Sequence, residues 1–244
     1  MAKLRIIGGV SRVLFGEPAY CCLCGAPASA GVGICGHCLE VLAQEMAWVC
    51  KVCGIPLRPP LELCNGCRLN MYWFDVQRSL GIYHGKLMSA IRRMKYGGER
   101  WLSRPLGRML SRLAEPFSYV DLVVPVPLVG STRRARGYNQ AKDLAQEVSA
   151  NICVPLADIL EREEARGPQA RLNRSDRLRN LRGTMRAAHG FDLDGARVLL
   201  VDDVATTGAT LDEAARVLKS AGAARVCCVT LARTLQYPLA EEEG

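Results

Sequence analysis

Apolar positions in this chain follow two different spacings, and glycine or proline marks most of the changes between them. Residues 76–84 alternate apolar and polar side chains, which predicts a strand leading out of the cysteine-rich start of the chain. From 85 to 96 the spacing becomes helical, with Leu87, Ile91 and Met94 on one face and Lys86 and Arg93 elsewhere, until Gly97-Gly98 ends it. Residues 101–113 give a second amphipathic helix, and residues 121–127 read as a buried strand whose prolines mark its exit. A basic loop over 131–137, a helix over 138–150 and a short strand over 152–160 follow. Residues 161–183 are polar, charged and poor in period; a loop that long inside a compact domain is usually functional, so it is a candidate lid. Strands over 185–188 and 197–201 flank the turn Asp194-Gly195, a helical pattern occupies 211–222, and a strand over 225–232 closes the sheet. Strand–helix alternation after Asp121 predicts a parallel α/β core.

Within that core, the aliphatic run Val198, Leu199, Leu200 and Val201 ends in two adjacent carboxylates, Asp202 and Asp203. A small, hydroxyl-rich turn follows, formed by Ala205, Thr206, Thr207, Gly208, Ala209 and Thr210, and then the helix. Open α/β sheets place ligands beyond the carboxyl ends of their strands. Free N–H groups and the dipole at the start of the helix suit a phosphate there, with three threonine hydroxyls as further donors. The two aspartates cannot hold a phosphate; they suit ribose hydroxyls, or the Mg²⁺ that accompanies a polyphosphate. The expected ligand is a sugar phosphate with a cation nearby.

The first part of the chain, with little apolar periodicity, has a different organising signal. Cysteines occur as Cys21-x-x-Cys24, Cys35-x-x-Cys38, Cys50-x-x-Cys53 and Cys64-x-x-Cys67, separated by 10, 11 and 10 residues, so one unit appears twice. Two such knuckles supply the four thiolates of a tetrahedral zinc site. Sequential pairing predicts one Zn²⁺ site from Cys21, Cys24, Cys35 and Cys38 and a second from Cys50, Cys53, Cys64 and Cys67; cross-braced pairing is the alternative. Cys22 and His37 lie outside the regular frame and are left as spares, while Cys153, Cys227 and Cys228 fall in apolar runs and read as buried thiols. A disulfide framework would need an oxidising compartment, and the apolar run after Lys3 and Arg5 is too short for an export signal, so a cytoplasmic zinc protein is expected. No stretch approaches the roughly 20 apolar residues of a membrane span.

At 244 residues the chain has room for a small accessory module over 1–72 and an α/β domain over 73–244. The formal charge of +8 falls to about +4 once two Cys₄–Zn²⁺ sites of net −2 are counted. Charge is also uneven. Arg78, Lys86, Arg92, Arg93, Lys95, Arg100, Arg104, Arg108 and Arg112 are opposed only by Glu99. Further basic stretches hold Arg133, Arg134 and Arg136, and Arg171, Arg174, Arg177, Arg179, Arg182 and Arg186. Such clusters suit pyrophosphate or a nucleic-acid backbone. Tyr83, Tyr96 and Trp101 lie within the first of them and would add stacking surfaces for single-stranded DNA, although core packing is the expectation for at least two of the three.

Residues 198–210 resemble the phosphoribosyl-pyrophosphate (PRPP) motif of the type I phosphoribosyltransferases. Nearly the whole chain, moreover, is similar to the competence protein F (ComF) family. The resemblance is carried by the eight paired cysteines, Met94-Lys95-Tyr96-Gly97-Gly98, Val124-Pro125-Val126-Pro127, Arg136-Gly137-Tyr138-Asn139-Gln140, and Val201-Asp202-Asp203-Val204 with Thr206-Thr207-Gly208. It implies a double zinc ribbon joined to a Rossmann-like, parallel-sheet phosphoribosyltransferase domain, and a link to DNA uptake and natural transformation with a helicase-type or uptake partner. It also implies site roles. Asp202 and Asp203 would orient the ribose, directly or through Mg²⁺, and are the catalytic candidates. Thr206, Thr207, Gly208, Ala209 and Thr210 would hold the 5′-phosphate of PRPP. Beside these, Arg133 and Lys95 are candidates for the pyrophosphate, with DNA the alternative contact for Lys95. Purine-salvage members carry an acidic residue where this chain has Thr206, and threonine is no general base near neutral pH. Glutamine-dependent transfer is disfavoured too, because the chain begins Met-Ala without a nucleophilic cysteine. The acceptor is not identified by the sequence, and a non-catalytic DNA-binding protein with a retained PRPP loop is the alternative reading.

Overall fold

Val198, Leu199, Leu200 and Val201 have no exposed surface, the condition met by a strand covered on both faces. A computed structural model describes residues 20–28, 33–69, 72–117, 119–163, 183–188 and 191–235. In chain order the elements are α1 (Gly36–Glu45), α2 (Asn65–Leu69), β1 (Val76–Ile82), α3 (Gly85–Tyr96), α4 (Ser103–Ala114), β2 (Leu122–Pro125), α5 (Gly130–Arg136) and α6 (Gln140–Ile152). They continue with β3 (Leu160–Arg162), β4 (Met185–Ala187), β5 (Arg197–Ala205), α7 (Ala209–Ser220) and β6 (Arg225–Arg233). Strands β1, β6, β5 and β2 form one parallel sheet in that order. Helices cover both faces. Leu87, Ile91, Leu106, Leu110, Leu144 and Val148 of α3, α4 and α6 pack on one side, and Leu211, Ala214, Ala215 and Leu218 of α7 on the other. No described helix is long and apolar enough to cross a membrane.

Several predicted elements change. Strand β6 lies between β1 and β5 rather than closing the sheet, because eight of its nine residues are buried and a strand that apolar needs a neighbour on each side. Strand β5 extends past Val201 through both aspartates to Ala205. The basic loop is the short helix α5, ended by Gly137 in the left-handed conformation. The strand expected over 152–160 reduces to one bridge, Val123 with Leu156, because α6 runs to Ile152 and Cys153 then caps it at φ 56°. That capping position turns the Cys153 side chain outward, so it is exposed, whereas Cys227 and Cys228 are buried as expected. Residues 185–188 do not join the main sheet: β4 pairs antiparallel with β3 in a separate ribbon. The greater part of the candidate lid and of the third basic stretch lies outside the described residues.

The two cysteine units share one local fold. Cys21 and Cys50 each donate their amide to a carbonyl five residues on (Ala26, 2.7 Å; Ile55, 2.8 Å) and accept from Gly25 (2.8 Å) and Gly54 (3.0 Å). Isolated bridges, Tyr20 with Pro27 and Val49 with Pro56, close each knuckle. The units dock on opposite faces of the sheet. Cys21, Cys22, Cys38 and Leu42 join the core under α3 and α4, while Cys50, Cys53 and Ile55 join the core under α7. The second unit also meets the outer edge of β1, where Gln77 donates its amide to the Val52 carbonyl at 2.7 Å.

Gly54 is the tightest point of that junction. Its φ is +62°, and a Cβ there would stand 2.5 Å from the Gln77 carbonyl oxygen. Gly54→Ala therefore meets both backbone strain and a clash with an immobile atom. It is expected to lower unfolding free energy by about 1–3 kcal/mol, read as a lower denaturant midpoint, while Gly25→Ala, with open space around its Cβ, costs less.

Candidate functional site

The acidic pair sits at the carboxyl end of β5, next to the turn into α7, with Lys95 paired to Asp203 and the fields of Lys95 and then Arg162 acting on Asp202. Lys95, in the last turn of α3, places Nζ 2.7 Å from Asp203 Oδ1, with both side chains largely buried. Burial disfavours the Lys95 charge, but Asp203 outweighs it and raises the Lys95 pKa. Asp202 is pushed up to about 7 by burial and by the adjacent Asp203 carboxylate, against the opposing field of Lys95. Arg162, on β3, faces Asp202: burial lowers its pKa, the Asp202 carboxylate opposes that, and its buried Nε has no partner among the described residues. Sequence reasoning misses Arg162, because it falls within the polar stretch 161–183, where nothing in the spacing separates it from its neighbours.

The turn after the pair is built as a helix start. Gly208 at φ +86° caps α7, and the Thr207 hydroxyl accepts from the Ala209 amide at 3.3 Å. Thr206 is exposed, Thr207 and Thr210 are half-buried, and Gly208 and Ala209 are buried. The opening amides of a helix lack carbonyl partners, so this turn presents donors toward an anion. Two groups that carry no mark in the sequence hold it from behind. The Tyr72 hydroxyl donates to the Thr207 carbonyl at 3.3 Å, and Asp212 Oδ1 accepts from the Trp73 amide at 2.6 Å.

Arg133 and Lys95 line neighbouring clefts that meet at Tyr138. Arg133, exposed on α5, borders a polar cleft of about 520 Å³ together with Arg100, Asn139, Lys142 and Arg162. Lys95 borders a second cleft of about 430 Å³ with Tyr96, Thr132 and Arg136. The wall between them is fixed: the Tyr138 hydroxyl donates to the Met94 carbonyl, and Arg100 holds buried Asp143 through bonds of 2.6 and 2.8 Å. The aromatics overturn the expectation of core packing. Tyr96 is 74% exposed and Trp101 53%, and only Tyr83 packs against the core. Chain geometry explains it, because Tyr96 ends its helix and Trp101 is the middle residue of the 3-10 turn over Arg100–Leu102, both beyond the buried stripe of α3. Arg136 lies 5.0 Å over the Tyr96 ring, a cation on an aromatic face.

Each set of four cysteines converges in the sequential pairing. The sulfurs of Cys21, Cys24, Cys35 and Cys38 lie within 4.8 Å of one another, as do those of Cys50, Cys53, Cys64 and Cys67. Tetrahedral zinc with bonds of about 2.3 Å requires sulfurs about 3.8 Å apart. Cys24 to Cys35 and Cys53 to Cys64 are both 3.6 Å, so the donor sets fit that ion. Cys22 is buried beside the first cluster but outside it, its thiol pushed up to about 12 by burial, and His37 is exposed.

Comparison with known proteins agrees with this arrangement. The model of the phosphoribosyl transferase domain matches residues 105–244. The chain is 30% identical to competence protein F of Haemophilus influenzae over 82% of its own length and 90% of that protein's. It is 30% identical to the DNA utilization protein YhgH of Salmonella typhimurium, over 89% and 98%. It is 27% identical to competence protein ComFC of Bacillus subtilis, over 82% and 84%. The parallel sheet is that of a type I phosphoribosyltransferase-like domain, and the paired Cys₄ clusters fit a double zinc ribbon ahead of it. In sequence, order of parts and fold, the chain belongs to the ComF family of phosphoribosyl transferase domain proteins.

Proposed function

We propose that this protein binds PRPP with Mg²⁺ at the carboxyl end of β5 and acts in the handling of DNA in the cytoplasm. The observation that carries the reading is the acidic pair and the helix-capping threonine turn on one continuous segment, with cations from two other elements beside it. Thr206, Thr207, Gly208, Ala209 and Thr210 receive the 5′-phosphate, and Asp202 and Asp203 take the ribose hydroxyls or Mg²⁺. Lys95 is then a switchable partner, resting on Asp203 and turning to the pyrophosphate when the cation arrives. Arg133 reaches the same group from the larger cleft. Zinc holds two ribbons over residues 1–72, and residues 73–244 form the ligand-binding domain. The competence and DNA utilization in the relatives' names support the link to DNA, and an uptake or helicase-type protein is the partner this reading proposes.

Transfer would break the bond between ribose C1 and pyrophosphate and form a bond from C1 to the acceptor. Thr206 supplies no general base, so the acceptor must arrive with a free lone pair. Calorimetry with Mg²⁺–PRPP is the first check: Asp202→Asn/Asp203→Asn is expected to weaken binding at least tenfold, equivalent to about 1.4 kcal/mol, while leaving the fold intact. Unchanged affinity would sink the assignment. Pyrophosphate release across bases, amines and single-stranded DNA then separates a transferase from a ligand-gated binding protein. Affinity is also expected to depend on pH. Asp202 is protonated below about 7 and ionised above it, so Mg²⁺–PRPP affinity rises as pH increases through 7, and Asp202→Asn flattens that rise.

Exposed Tyr96 and Trp101 within the basic segment favour a second reading alongside the first, a stacking track for single-stranded DNA. Binding of an oligonucleotide is expected to weaken steeply between low and physiological salt. Tyr96→Ala should cost about 1–3 kcal/mol in the same titration; a flat salt response removes the track.

A further inference from the structure

Arg233 ends β6 with no exposed surface, and its Nε, Nη1 and Nη2 all lack hydrogen-bond partners among the described residues. No ion pair reaches it among them either. Its backbone is tied on both sides. The Tyr83 amide donates to the Arg233 carbonyl at 2.8 Å, and the next amide, Thr234, donates to the Ala205 carbonyl at 3.0 Å. Arg233 therefore lies in register beside Ala205, where β5 gives way to the turn into α7. Its guanidinium reaches that turn: a Cβ on Gly208 would stand 3.5 Å from Nη1, and 3.5 and 3.9 Å from ring atoms of Tyr72 and Phe74. The two rings stack with centroids 4.5 Å apart, and the Tyr72 hydroxyl holds the Thr207 carbonyl. A cation and two aromatic rings thus floor the turn beneath the glycine at φ +86°.

We infer that Arg233 is the buried counter-charge of the phosphate seated on the Thr206–Thr210 turn, acting from behind Gly208. This rests on the reading of that turn as a phosphate seat. A guanidinium stays charged at every working pH, and burying it without a partner costs stability. The opening amides of α7 are unpaired donors as well, and one anion on the turn answers both. Across a few ångströms of water-free protein the attraction is little screened. The ligand-free protein then carries a stability cost that binding removes. That sign separates the inference from a structural role, because a guanidinium with a partner of its own would stabilise the free protein.

The zinc-loaded full-length protein is compared with Arg233→Met and Arg233→Lys. Ribose 5-phosphate is the probe, because it carries the 5′-phosphate without the pyrophosphate. Arg233→Met is expected to bind it at least about tenfold more weakly, while its denaturant midpoint without ligand equals or exceeds that of the parent protein. Arg233→Lys, which keeps the charge, is expected to bind more tightly than Arg233→Met. Parent-like affinity in Arg233→Met overturns the inference. So does a lowered midpoint or a failure to fold in that variant, since the guanidinium then has a counter-charge in the free protein. Equal weakening by Lys and Met assigns the effect to shape rather than charge and overturns it as well. A parent protein that binds no ribose 5-phosphate overturns the phosphate reading of the turn, and the inference with it; every other adverse result overturns the inference alone.

Discussion

Successive residues of a strand project to opposite faces of its sheet, so two adjacent aspartates at the end of β5 meet different surroundings even though the field of Lys95 reaches both. The surroundings follow from that constraint. Asp203 points toward the face covered by α3, and Lys95 comes down from the last turn of that helix to meet it. Asp202 feels the field of Lys95 and, after it, that of Arg162 on the β3–β4 ribbon, whose Leu160 and Met185 pack in the core under α7. Tyr138 then anchors α3 at Met94, one residue before the lysine, and Arg100 pins α6 through Asp143. Elements far apart in the chain are held in place around a pair of carboxylates that would otherwise repel each other.

Much of this arrangement is legible in the order of residues alone. Helix α3 begins and ends at the predicted residues because Gly85 and the Gly97-Gly98 pair bracket a clean helical period. The sequential cysteine pairing is visible because equal spacers make two copies of one knuckle hairpin. Elsewhere, signals of similar strength compete. Residues 131–137 are mostly polar or charged with glycine at the end, a composition that loops and short exposed helices share. Strand order in a sheet depends on long-range pairing, which local periodicity does not encode, so the interior place of β6 emerges only in the folded chain. Arg233 has one faint mark, a cation at the end of an apolar strand, where ligands gather.

Among the described residues the main sheet has four strands, and the two knuckle units add to the packing on both of its faces. One unit joins the core under α3 and α4, and the other joins the core under α7. Their own apolar content is small, and the four converging cysteines of each unit suit the metal cross-link that lets so short a segment act as a rigid layer.

The bond from Gln77 to Val52 has a further meaning for the molecule outside its folded state. β1 is the outermost strand on its side, and unpaired strand edges are templates on which other chains can stack. Here the template is capped by a hairpin whose shape depends on four thiolates. Oxidation of those thiolates, or loss of a metal held by them, would uncover a strand edge as well as a metal site.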